Sequence, residues 1–227
     1  MTAVASVLAA IAAVKAVATI TPADEQDLTP TDAKLATWGI TPATPQGLAD
    51  LAAILWFTAQ AFRLGLVSTV LLPAFSDDPH GAFAGGDALV ASRTEALTRI
   101  LDSFYDVLVP YPEPKGGHGG QPLSLADNVV FVVSGDTPKT PFNRNGWGDG
   151  TPGNSNLMYV RSNGYLKPGW FGSITPTTGF TNAAALPLPA TVAAQLGILF
   201  AISRGNAPAV AAASAAPFAG VVATPLP

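Results

Sequence analysis

The run Val129-Val130-Phe131-Val132-Val133 holds no polar residue and empties into SGDTPKTPFNRNGWGDGTPGNSN, a loop of Ser, Asp, Lys, Asn and Gly that reaches Asn156. A strand without polar alternation is the kind buried on both faces, at the centre of a parallel sheet covered by helices. Ligands of such sheets sit beyond the carboxyl ends of the strands. The sequence therefore predicts a central strand over Asn128–Ser134 and puts the candidate site in the loop after Val133.

The segments before that strand alternate. Thr44 as N-cap and Pro45 at the first helical position predict a helix with Leu48, Leu51, Leu55, Ala59 and Phe62 on one face and Gly65 as its stop. Leu66–Phe75, LVSTVLLPAF, follows as a strand. Leu97, Ile100, Leu101, Phe104, Tyr105 and Leu108 recur at helical steps and predict a second long helix from near Asp87 to the residue before Pro110. Helix, strand, helix, strand predicts an α/β fold with a largely parallel sheet flanked by helices. Beyond the loop, Leu157–Arg161 reads as a short strand, Gly164, Gly169 and Gly172 as turns, and Pro189–Phe200 as a helix. Thr21–Thr44 reads as a connector with one short helix around Asp32–Trp38, and Tyr111–Pro122 as a Pro- and Gly-rich surface loop. The expected organisation is an N-terminal helix and linker over 1–45, an α/β domain over 46–206 and an Ala/Pro-rich tail over 207–227.

Composition removes several classes of function. A net charge of −4 with no basic stripe argues against nucleic-acid binding, which needs clustered Lys and Arg. The absence of cysteine excludes disulfides, thiolate metal ligands and cysteine nucleophiles. Charged residues make up 11% of the chain, against roughly 25% in an ordinary domain, so protein partners or further copies of the chain are expected to cover part of the surface. Val4, Val7, Leu8, Ile11, Val14 and Ala18 fall at helical spacing and read as an amphipathic helix packed on the core, with a trimmed export signal or a partner-binding helix as alternatives. Lys15 interrupts that apolar run, which is too short for a transmembrane span.

Two places carry residues able to do chemistry. Asp78-Pro79-His80 lies just past the expected strand end at Phe75, where a metal-ligand pair or an acid and base would stand. The plainer reading is that Asp77 and Asp78 cap a turn and His80 is a surface residue. The loop after Val133 adds Ser134, Asp136, Lys139 and, framed by Gly146, Gly148 and Gly150, Asp149. Glycines there permit positive φ and close backbone approach to a ligand, although tight turns use the same residue types. The other histidine, His118, sits among glycines and reads as solvent-exposed. Trp147, Tyr165, Trp170 and Phe171 lie near these loops and open a further reading, a carbohydrate- or surface-binding module, against ordinary core and turn aromatics.

The order of segments resembles the alkaline phosphatase and sulfatase superfamily, most closely an exported bacterial branch of unknown function with W-D-x-H, S-E-F-G-R-T-P and G-R-D-H hallmarks. Phe75–His80 is similar to the first, with Asp78 and His80 matching its Asp and His. SGDTPKTP, Ser134–Pro141, is similar to the second, with Lys139 for the Arg and no Glu. Gly148-Asp149 resembles the third, but Gly150 stands where its histidine would be. Gly164–Gly172 and the stretch Ala190–Ile198 resemble the glycine-rich segment and the closing helix, so the likeness covers about Gln46–Ala201.

The resemblance implies a metal-assisted hydrolytic centre at the strand ends, acting on phosphate or sulfate esters in an exported protein of the periplasm, envelope or extracellular space. It also implies that the chain corresponds to the C-terminal half of a family member, with the nucleophile's segment absent. Zinc pairs in the superfamily use about three histidines, and this chain has two, so any ion would be a hard cation such as Ca²⁺ or Mg²⁺ on carboxylates. The leading expectation is a catalytically degenerate sulfatase-like scaffold acting as a binding or structural subunit of a larger assembly. The alternative is a divalent-metal-dependent phosphoester or sulfoester hydrolase, with Asp78, His80, Asp136 and Asp149 as ligands, Ser134 as fallback nucleophile and Lys139 stabilising the transferred group.

Overall fold

The computed structural model describes residues 20–72, 87–113, 123–134, 158–161, 164–171, 173–175, 179–181, 190–206, 208 and 210. The chain divides into two compact units, Met1–Pro112 with Ser124–Ala126, and Glu113–Leu123 with Asp127–Pro227.

The described part of the first unit is helical: α1 (Pro22–Leu28), α2 (Asp32–Thr37), α3 (Gln46–Arg63) and α4 (Asp87–Leu108). Helix α1 starts at a capping box, in which Thr21 Oγ1 accepts from the Asp24 amide at 3.2 Å and the Thr21 amide donates to Asp24 Oδ2 at 2.9 Å, with Pro22 filling the first helical position. The region expected to be a connector with one helix therefore carries a second. Lys34, from α2, donates its ammonium to the carbonyls of Gln26, Asp27 and Thr29 at the end of α1, where the last carbonyls have no intrahelical donor. Burial pushes the Lys34 ammonium below the usual lysine range, and the Asp27 carboxylate opposes the shift. Trp56 of α3 donates to the Asp27 carbonyl at 2.8 Å, and Arg63 reaches Asp27 Oδ2 at 2.6 Å. Helix α1 is thereby tied to α3 at both the backbone and the side chain of one residue.

Helix α3 begins one residue later than the sequence reading has it. Pro45 is its N-cap rather than its first helical residue, and the Thr44 hydroxyl accepts from the Thr41 amide instead. It ends as expected at Gly65, whose φ of +67° lets its amide bond Phe62 O and the Leu66 amide bond Ala61 O. The expected single apolar face is too narrow a description. Ala52, Ala53, Ala59 and Ala61 are all at most 1% exposed alongside Leu48, Leu55, Phe57, Thr58 and Gln60, because α3 is packed by α1, α2 and α4 together. Small side chains let those neighbours approach closely. Helix α4 matches its predicted span, with Ile100, Phe104, Tyr105 and Leu108 as its buried stripe.

Among the described residues no strand stands between α3 and α4. Leu66–Leu72 takes no strand conformation and pairs with no strand, and Leu71 is 91% exposed; residues 73–75 lie outside the described residues. An apolar, β-branched run supplies side chains for a sheet but no neighbour to hydrogen-bond with, and β-propensity reflects packing on such neighbours.

In the second unit β1 (Phe131–Ser134), β2 (Met158–Arg161) and β3 (Gly169–Phe171) form a three-stranded sheet in that order, antiparallel throughout, and β4 (Ser173–Thr175) pairs with β5 (Gly179–Thr181), also antiparallel. This overturns the expectation of a largely parallel sheet flanked by helices. Asn128 closes a short helical turn, α5 (Leu125–Asn128), and the strand begins only at Phe131. Helix α6 (Ala190–Ile202) packs on the sheet: Met158, Val160 and Phe171 share a core with Leu166, Ala193, Ala194, Leu196, Phe200 and Val210, flanked by Val130 and Val132. One face of the sheet is thus spent on the core.

Candidate functional site

Side chains alternate between the two faces of a strand, and residues paired across strands share a face. The register pairs Ser134 with Met158 and Met158 with Phe171, and Val132 with Val160, which are the rows turned toward α6. The intervening rows must lie on the opposite face. They are Val133–Tyr159–Trp170 and Phe131–Arg161.

That outer face is apolar and accessible. Trp170 is 69% exposed and Val133 46% exposed, Tyr159 and Phe131 are half-buried, and Arg161 is exposed. The Tyr159 and Trp170 rings, cross-strand neighbours, have centroids 5.0 Å apart and planes inclined at 51°, within the range of a favourable tilted aromatic pair. Gly169 opens β3 with φ +116°, a conformation that L side chains rarely adopt, so a bend at glycine delivers Trp170 to its place. Among the described residues neither the Tyr159 hydroxyl nor the Trp170 indole N–H has a hydrogen-bond partner. The five side chains therefore bring two mutually inclined rings, two donor groups and a guanidinium to one face.

Ser134, expected as a fallback nucleophile, lies half-buried at the end of β1 in the core-facing row of Met158 and Phe171, on the other side of the sheet from Trp170. Asp78, His80, Asp136, Asp149 and Lys139 lie outside the described residues, as do His118 and Trp147. Among the described residues no three His, Asp or Glu side chains gather where they would hold a metal ion, and no helix is long and apolar enough to cross a membrane. Of the aromatic residues singled out in the sequence, Phe171 is 9% exposed and Tyr165 packs against the core, so both serve the fold; Trp170 alone among the described ones turns outward. Tyr159 and Val133 were missed. The strand reading of LMYVR carried the signal, since alternation sends Met158 and Val160 one way and Tyr159 and Arg161 the other.

The exposed side of α4 forms a shallow trough lined by Thr94, Glu95, Thr98, Arg99, Asp102 and Asp106. Its guanidinium is already paired, Arg99 to Glu95 at 2.8 Å one turn away, and it has the character of a solvated helix face. No family model, curated protein or solved structure matches this chain.

Proposed function

We propose that this chain is a binding subunit that docks a protein partner on the outer face of its three-stranded sheet. The observation that carries the reading is the row Val133–Tyr159–Trp170, solvent-facing on a sheet whose other face is fully used by the core. A strand facing water usually alternates apolar with polar residues; here four of the five outward positions carry Phe131, Val133, Tyr159 and Trp170, and the fifth carries Arg161. Trp, Tyr and Arg are the residues most enriched where binding energy concentrates in protein interfaces, and Tyr159, Trp170 and Arg161 occupy one small face. The chain's low charge content points the same way, since interface cores are depleted of charge.

The test is site-specific photocrosslinking in the native cell, with a benzophenone side chain in place of Val133 and, as a comparison, in place of Thr94 on α4. A discrete adduct from position 133, absent from position 94 and lost when Trp170→Ala is added, is the expected result. No adduct at 133, or the same adducts from both positions, would refute the assignment of this face.

A further inference from the structure

We draw no further inference here: the strongest candidate, the apolar segment Leu66–Leu72 that leaves α3 with Leu71 91% exposed, offers side chains to a partner, but nothing in the structure shows what covers it.

Discussion

Trp170 and Phe171 are adjacent in β3 and face opposite ways, which makes them a test of whether the exposed aromatic row serves the fold or something outside it. Phe171 is 9% exposed and Trp170 69% exposed. Fully buried aromatics remove 150–250 Å² from water, so Trp170, with about a third of its surface covered, hides roughly 70 Å², which at ~25 cal/mol/Å² is about 1.5–2 kcal/mol including its contact with Tyr159. Phe171→Ala removes a nearly complete burial and leaves a cavity beside Met158 and α6, a cost of about 3–5 kcal/mol. Native-state hydrogen exchange of the β2 amides, Met158–Arg161, reads the stability of this unit directly. Trp170→Ala is expected to lose about 1.5–2 kcal/mol against about 3–5 kcal/mol for Phe171→Ala. Equal losses would mean that Trp170 is held by the protein's own packing, and the argument for a docking face would fail with it.

Other consequences are open to simpler measurements. Gly39 and Gly65 both end helices at positive φ, +79° and +67°, so alanine at either should cost about 1–2 kcal/mol in chemical denaturation. At Gly65 a Cβ meets nothing within 4 Å, whereas at Gly39 it would lie 2.6 Å from Arg99 Cδ. Any excess at Gly39 should vanish in the Arg99→Ala background, and an excess that survives there would contradict the geometry. The Thr21 side chain and then its amide, both hydrogen-bonded to Asp24, hold that carboxyl below its ordinary 3.8. The stabilisation from this cap is therefore fully present above pH about 4 and is lost as pH falls through the lowered midpoint. Thr21→Val should move the Asp24 midpoint, followed by carboxylate NMR, back toward the ordinary value; an unmoved midpoint would remove Thr21 as the cause. On the binding reading, chelator treatment should leave the melting temperature unchanged in the parent chain and in Asp78→Ala and Asp149→Ala. A chelator-sensitive melt in the parent, abolished by those substitutions, would restore the hydrolase alternative.

What the sequence discloses depends on how local the determining contacts are. Helices α3, α4 and α6 were legible because Leu48, Leu55 and Ala59, or Ile100, Phe104 and Leu108, repeat within one segment. Helix α1 was equally legible in Thr21-Pro22-Ala23-Asp24, a capping box with proline at its first position, but the abundance of Pro and Thr around it reads as linker. Strand direction was not legible. Val129–Val133 would look the same in a parallel core as in an antiparallel sheet whose outward positions happen to be apolar, and β1 and β2 are separated by the residues from 135 to 157. The exposed face was half visible: Trp170 stood out by type, but its neighbour Tyr159 is identified only by the register that sets the two side by side.

The alanines of α3 imply an asymmetry in what this protein tolerates. With Ala52, Ala53, Ala59 and Ala61 sealed between three other helices, there is no methyl left to trim except by introducing glycine. Any enlargement must prise helices apart, typically at 1–3 kcal/mol. Sequence drift at these positions is therefore blocked upward in size and penalised downward in backbone entropy, and relatives of this helix should be findable by their run of small residues even where every larger side chain has changed.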